Sequence, residues 1–200
     1  SLDGHTGLVM SVAFAPDGKS FLSGGGGEIL HWDLASSKPR RYFVDKAKPL
    51  RTFGHFALVT RIAFSKHGTH AITGGVEQPV RIWDIAKGQV VKYVDLPKAA
   101  SHFVAWSPDD KYLLVAPSGS FVRLFAYPSL EESNDRFGGT VGHFSKDSTK
   151  LLTLEGNILQ LYHLNPLKRT FVNVGGITRC ALTPDGRYAL AGGLDSMVYV

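Results

Sequence analysis

Histidine is the residue type in this sequence with the most chemical potential, because its imidazole binds metal ions and transfers protons near neutral pH. The chain has eight histidines, but none forms a closely spaced pair suited to one metal ion. His67 and His70 lie on either side of a predicted hairpin turn, and His31 and His143 lie in predicted strands, where related positions are apolar or small. We therefore expect buried, hydrogen-bonded histidines and no metal site.

Two other features suggest chemistry and are better explained by structure. The run from Gly24 to Gly27 could cradle a phosphate, but it joins two predicted strands and opens no helix, so it predicts a turn. Cys180 is the single cysteine, which rules out an internal disulfide and a cysteine pair for zinc. This usage fits a reducing compartment, and a cytoplasmic location is expected.

Known catalytic and cofactor signatures are missing from the sequence: it contains no Walker loop, H-E-x-x-H, G-x-S-x-G or C-x-x-C. It also has no apolar run long enough for a membrane helix. With 44% hydrophobic and 20% charged residues, the composition predicts a soluble, packed protein. Catalytic residues, metals and cofactors are all predicted to be absent.

The elements that position these residues are indicated by a short phrase that occurs five times. It reads FAPDG, FSKHG, WSPDD, FSKDS and LTPDG at residues 14–18, 64–68, 106–110, 144–148 and 182–186. A repeat of roughly 40 residues is typical of arrays of small structural units. Each phrase lies between two short apolar runs, and a third and usually a fourth run follow. This pattern predicts four antiparallel strands per unit, as in a propeller blade.

The residues around these runs resemble the WD-repeat family. Gly4-His5 and Gly54-His55 precede the first strand of two units, and Trp32-Asp33 and Trp83-Asp84 end the third strand. The phrasing is also similar to bacterial WD-repeat arrays. The resemblance implies an all-β fold, a β-propeller built of four-stranded antiparallel WD-repeat blades. We expect one segment over residues 1–200, with repeats at roughly 4–50, 51–95, 96–133, 134–171 and 172–200.

About five blades are predicted, and the array is expected to be part of a larger ring of seven or eight. The reason is that the fifth unit stops before the residue that would match Trp32 and Trp83. A propeller usually closes by sharing one blade between its two termini, which removes exposed sheet edges.

The resemblance also implies a structural hydrogen-bonded set of His, Ser or Thr, Asp and Trp in each blade. The matching residues are His5, Ser23 and Trp32 in the first unit, His55, Thr73, Glu77 and Trp83 in the second, and Asp195 in the fifth. The first unit is expected to lack the acid, because its turn is all glycine. Most units are expected to depend on apolar packing instead.

An enzymatic propeller would place acids, amides or histidines where its inner strands begin, facing the channel. The corresponding column here reads Met10, Thr60, His102, Thr140 and Thr178. It contains no acid, and one histidine among hydroxyls cannot build a divalent metal site. We therefore expect no enzymatic activity from this segment.

Positive charge concentrates in the first connection between units, where the repeat is longest. The sequence carries a net charge of +5, and this connection holds Lys38, Arg40, Arg41, Lys46, Lys48 and Arg51 against Asp45. It is either a solvated edge or a docking site for an acidic protein. Aromatic residues are too few there to favour nucleic acid. The candidate partner-binding residues are Lys46, Lys48, Arg51, Arg61, His102 and Arg179.

The function expected from these features is that of a non-enzymatic protein–protein interaction scaffold that uses the loop-bearing faces of the propeller. A first alternative is a regulatory or sensory propeller domain attached to a kinase or membrane module. A second is a propeller hydrolase whose catalytic residues lie in blades outside this sequence. The expected partners are other proteins with acidic surfaces, with no direct membrane insertion of this segment.

Overall fold

The computed structural model describes residues 2–36, 38–43, 58–76, 79–96, 100–119, 121–173, 176–194 and 196–200. These residues contain strands and turns and no helix. The all-β class and the four-stranded antiparallel sheets predicted from the repeats are therefore confirmed. The chain forms two compact units, Ser1–Trp106 and Ser107–Val200. The predicted boundaries of the individual repeats remain predictions.

The first unit contains two antiparallel sheets of four strands, each arranged in chain order. The strands of the first sheet are β1 (Val9–Phe14), β2 (Ser20–Gly25), β3 (Glu28–Asp33) and β4 (Pro39–Tyr42). Those of the second are β5 (Val59–Phe64), β6 (His70–Gly75), β7 (Val80–Asp84) and β8 (Gln89–Val94). Strand β9 (Ser101–Trp106) ends the unit.

The second unit begins with the antiparallel pair β10 (Tyr112–Pro117) and β11 (Arg123–Ala126). A four-stranded sheet follows, made of β12 (Val141–Phe144), β13 (Lys150–Glu155), β14 (Ile158–Leu164) and β15 (Leu167–Asn173). The last sheet has three described strands, β16 (Ile177–Leu182), β17 (Ala189–Gly193) and β18 (Val198–Tyr199).

The repeated phrase forms the tight turn that follows the first strand of each repeat. In the third copy the Ser107 hydroxyl donates to the Asp109 carboxylate at 2.7 Å, and the Lys111 N–H donates to the same oxygen at 3.1 Å. The fourth and fifth copies repeat this arrangement around Asp147 and Asp185. The last residue of the phrase has a left-handed backbone in all five copies, at Gly18, Gly68, Asp110, Ser148 and Gly186. The phrase recurs because this local geometry recurs.

The glycine run also has a structural role. Gly26 and Gly27 form a two-residue connection between β2 and β3, with φ angles of 41° and 83°, so the structure contains the predicted turn. Gly24 lies in β2, where an added Cβ would stand 2.7 Å from Cγ1 of Val59 in the next sheet. No side chain fits at this position, because the two sheets approach too closely.

The core lies between successive sheets. In the first unit it joins Leu22 and Ile29 of the first sheet to Val59, Ile62 and Trp83 of the second. In the second unit, Leu152 and Leu159 pack against Ile177 and Cys180. Burial raises the pKa of the Cys180 thiol to about 11, so this cysteine is a core residue and not a nucleophile.

Candidate functional site

A chain of buried and partly buried hydrogen bonds joins polar side chains of the first sheet to the residues that precede it. The Trp32 indole donates to Ser23 Oγ at 2.6 Å, and His5 Nε2 lies 2.6 Å from the same oxygen. His5 Nδ1 lies 3.2 Å from Oε2 of Glu28. A carboxylate only accepts, so Nδ1 donates to it, and in the neutral imidazole Nε2 accepts the Ser23 hydroxyl proton.

Glu28 is the residue that sequence reasoning missed. It is the first residue of β3, is 4% exposed, and accepts the Thr6 N–H at 2.9 Å and the Thr6 hydroxyl at 2.7 Å. The expectation that the first repeat lacks an acid is corrected, because the acid stands just after the glycine turn instead of within it. The available signal was an acid placed directly after the glycine turn and directly before the apolar residues Ile29 and Leu30.

The second sheet contains the corresponding tryptophan contact. The Trp83 indole donates to Thr73 Oγ1 at 2.8 Å, and both residues are completely buried. The edge of one ring meets the face of the other between Phe43 and Trp83, with centroids 5.5 Å apart. His55 and Glu77, the other two residues assigned to this set, lie outside the described residues, as does Asp195 of the fifth repeat.

The polar contacts of the β12–β15 sheet follow a different route. The Tyr162 hydroxyl donates to Gln160 Oε1 at 2.6 Å and accepts the Gly138 N–H at 2.9 Å. Gln160 in turn donates to Glu155 at 2.7 Å. Thr153 occupies the position of Thr73, yet within the described part of the chain its buried hydroxyl has no hydrogen-bond partner. Tyr162, which stands where the two sheets of the first unit have tryptophan, therefore bonds Gln160 and Gly138 and makes no hydrogen bond to Thr153.

Thr73 and Thr153 form a matched pair for testing the tryptophan contact. Thr73→Val removes the acceptor of a buried indole N–H and is expected to cost about 1–2 kcal/mol of unfolding free energy. Thr153→Val replaces an unpaired buried hydroxyl with a methyl group, so it is expected to be neutral or slightly stabilising. Urea denaturation of both variants measures the difference. If both variants lose the same free energy of unfolding, the hydrogen bond between Trp83 and Thr73 does not stabilise the second sheet.

The column of strand-entry residues coincides with an irregularity of the sheets. The pairing register shifts between Val9 and Ser11, between Val59 and Arg61, and between Ile177 and Arg179, so Met10, Thr60 and Thr178 are bulge residues. The Thr60 hydroxyl donates to the Ser101 carbonyl at 3.2 Å, and that of Thr178 donates to the Gly192 carbonyl at 3.4 Å. These hydroxyls therefore satisfy backbone groups of the sheets.

Two of the candidate partner-binding residues have described side chains, one in each unit. Arg61 of β5 is exposed, and its guanidinium lies 4.9 Å from the ring centroid of Phe103, which is 6% exposed. Arg179 of β16 is exposed and donates to the Thr178 carbonyl at 2.8 Å. His102 lies in β9, but its side chain is not among those described, and Lys46, Lys48 and Arg51 belong to the undescribed connection.

A cleft of about 540 Å³ in the first unit is lined by His31, Arg40, Thr69, His70 and Asp84, among others. Arg40 forms an ion pair with Asp33, and Lys87 lies 3.1 Å from Asp84, so the formal charges at this cleft are balanced. Within the described ranges there is no group of three or more His, Cys, Asp or Glu side chains that could hold a metal ion. No helix of these ranges is long and apolar enough to span a bilayer.

Comparison with known protein families gives matches along much of the chain. The family model described as WD domain, G-beta repeat, matches residues 1–33, 47–84 and 166–200, which together make up more than half of the sequence.

Curated relatives match at modest identity and are longer than this chain. THO complex subunit 3 of Arabidopsis thaliana is 27% identical over 206 residues, which covers 98% of this chain and 63% of that protein. One of the subunits of chromatin assembly factor 1 from Mus musculus is 26% identical, over 96% of this chain and 34% of that protein. Protein HIR1 of Candida albicans is 26% identical, over 68% of this chain and 16% of that protein. The chain thus spans less than two thirds of each of these relatives.

Among solved structures, the β-propeller domain of Cps50 (Swd1) from Myceliophteria thermophila superimposes with a TM-score of 0.79. The match covers 97% of this chain and 64% of that chain at 18% identity. It shows that the sheets described above are blades of the β-propeller type.

Proposed function

The chain belongs to the WD-repeat family, and we propose that it is a non-enzymatic propeller segment that binds other proteins through its connecting loops and strand entries. The observation that carries this proposal is the set of relatives: two of them are named as subunits of larger assemblies, and each matches at least 96% of this chain. Similarity to such subunits along nearly the whole chain supports a role in holding protein partners.

The chemistry of the strand entries supports binding over catalysis. The Thr60 and Thr178 hydroxyls are engaged by backbone carbonyls, and Cys180 is buried with a raised pKa. Arg61 and Arg179 remain exposed, and long guanidinium side chains can pair with carboxylates of a partner without burial in the core.

The proposed docking site of the first unit combines Arg61 and His102 with the basic connection of Lys46, Lys48 and Arg51, and Arg179 is proposed as a separate partner contact of the second unit. Single exposed ion pairs contribute only about 0–1 kcal/mol, so several cations are needed for a useful effect. A cluster of this kind increases the rate of association with an acidic surface, and this increase becomes smaller as the salt concentration rises. An acidic protein surface is therefore the proposed partner.

Charge reversal of the connection tests this proposal. Replacing Lys46, Lys48 and Arg51 together by glutamate is expected to slow association and to leave the melting temperature nearly unchanged, because lysine and arginine side chains are rarely fully buried. Partners are first captured from cell extract with the wild-type protein, and their association rates are then measured by surface plasmon resonance at low and high salt.

The matched control carries the same change of charge elsewhere. Lys66, Lys111 and Lys146 are exposed, and replacing them by glutamate alters the net charge equally. The control is expected to bind as the wild type does. If the two triple variants behave alike, or if the first retains the wild-type rate and salt dependence, the connection is a solvated edge and not a docking site.

A further inference from the structure

Strand β15 is an edge of the β12–β15 sheet, with no further strand beside it among the described residues, and all seven of its residues, Leu167–Asn173, are exposed. Its pairing with β14 runs without interruption from Leu164 opposite Leu167 to Ile158 opposite Asn173. Strands β4 and β8, the fourth strands of the two sheets in the first unit, have less regular edges. Strand β4 has four residues, starts at Pro39 and has a shifted register, and β8 also has a shifted register.

Those differences matter because short edges, prolines and bulges are the backbone devices by which proteins prevent another strand from pairing with a sheet, whereas charged side chains such as Lys168 and Arg169 act by repelling strands of like charge. Strand β15 contains neither a proline nor a bulge. It is also as long as the strand to which it is joined. Its edge is therefore geometrically competent to accept an additional strand.

The orientation of the free backbone groups follows from the ladder. The Leu164 N–H donates to the Thr149 carbonyl at 2.8 Å, on the side of β13, so the backbone groups of Leu164 point away from β15. In an antiparallel pair, the residue opposite such a position also points away, and the direction alternates along the strand. The N–H and C=O groups of Leu167, Arg169 and Phe171 are therefore directed outward from the edge.

The side chains of the edge define which segment would fit. Lys168 and Arg169 are exposed and take part in no ion pair among the described residues. The Arg169 guanidinium lies 5.7 Å from the Phe171 ring centroid. Phe171 and Val172 are 63% and 56% exposed. Because side chains of a strand alternate between the two faces of a sheet, Lys168 and Val172 lie on one face of the edge and Arg169 and Phe171 on the other, so each face offers one positive charge and one apolar side chain.

We propose that β15 binds an extended acidic segment of a partner protein by accepting it as an additional strand of this sheet. Outward backbone groups of Leu167, Arg169 and Phe171 supply the hydrogen bonds, and Lys168 and Arg169 select acidic residues. A second copy of this chain fits poorly, because edge-to-edge pairing would bring four like charges into one short stretch. The inference rests on the proposed function only for the class of partner, since β15 lies outside the docking site proposed above.

The test uses the full chain and two synthetic peptides of about ten residues. One alternates valine and glutamate, the other valine and lysine, and both are end-blocked and labelled for fluorescence anisotropy. The wild-type protein is expected to bind the glutamate peptide and to bind the lysine peptide at least about tenfold more weakly. Binding of neither peptide, or equal binding of both, would overturn the proposal.

Backbone pairing is tested at Phe171. Phe171→Pro removes an outward N–H and Phe171→Ala retains it, while both remove the aromatic ring. Because edge positions with an outward N–H tolerate proline, we expect both variants to remain folded by circular dichroism. Phe171→Pro is expected to lose peptide binding by about tenfold relative to Phe171→Ala. Equal affinities of the two variants would exclude strand addition.

Charge selection is tested with side-chain substitutions alone, so it can be measured even if Phe171→Pro unfolds. Lys168→Glu with Arg169→Glu is expected to reverse the preference between the two peptides, whereas Lys111→Glu, at another exposed position, should leave it unchanged. An unchanged preference in the double variant would overturn the proposal, as would light scattering that shows dimers of the wild type removed by Phe171→Pro. Failure of the wild-type protein to bind either peptide, with intact capture of partners through the basic connection, would reject this inference alone.

Discussion

Replacement of Trp83 by alanine is expected to lower the free energy of unfolding by about 3–5 kcal/mol, the range for large aromatic residues removed from a core. Trp83 is completely buried, donates to Thr73 Oγ1 at 2.8 Å and packs against Phe43. The substitution therefore leaves a cavity between two sheets and removes the indole that bonds the threonine hydroxyl. The cavity and the lost hydrogen bond both lower the free energy of unfolding.

Phe125→Ala is the matched comparison. Phe125 occupies the corresponding position of β11 and is 5% exposed, but it has no polar group that needs a partner. Its replacement is expected to cost less than that of Trp83, because only the cavity remains. Denaturant melts of the two variants decide the ranking. An equal or reversed order would show that the indole hydrogen bond does not stabilise the second sheet.

Neutralising Glu28 is expected to have the second largest effect. Glu28→Gln retains the size of the side chain but removes the charge that accepts two bonds from Thr6 and one from His5. Because hydrogen bonds to charged groups are the stronger ones, the expected loss is about 1.5–3 kcal/mol near neutral pH. Glu131→Gln, at an exposed acid, is the control and is expected to change stability by less than about 0.5 kcal/mol.

The same carboxylate predicts a pH dependence. Burial by itself raises the pKa of Glu28, but the Thr6 N–H, the Thr6 hydroxyl and His5 outweigh it and hold the pKa below its usual value. A pKa lowered by folding means that the stabilisation is complete above the unfolded pKa of about 4.3 and is lost as pH falls through the folded pKa. The stability difference between wild type and Glu28→Gln should shrink as pH is lowered.

Urea melts at a series of pH values measure this convergence. For the Glu131→Gln control, the difference in unfolding free energy from the wild type is expected to stay the same as the pH is lowered. A difference that stays constant down to about pH 3 would contradict the assigned role, since the protonated carboxyl group would then be as effective as the carboxylate.

The repeating architecture and its local chemistry can be predicted from the order of the residues alone. The phrase around Asp109, Asp147 and Asp185 predicts a turn because its side-chain bonds mostly join residues two to five positions apart. Alternation of short apolar runs with such turns then predicts four-stranded sheets, and the Trp32 and Trp83 positions indicate the family. Each of these features depends on residues that are close together along the chain, so it can be predicted without knowledge of the tertiary structure.

Contacts between polar groups that are distant in sequence depend on how the strands pack in three dimensions. Glu28 reaches His5 and Thr6 across 23 and 22 positions, because the glycine connection and the register of β3 place it there. Thr153 and Thr73 look equivalent in sequence, yet the longer reach of the Tyr162 hydroxyl leaves one unpaired and the other bonded. The open edge of β15 likewise depends on pairing that no local pattern specifies. Burial and hydrogen bonding between strands are collective properties of the packed sheets, which the spacing of residues along the chain does not contain.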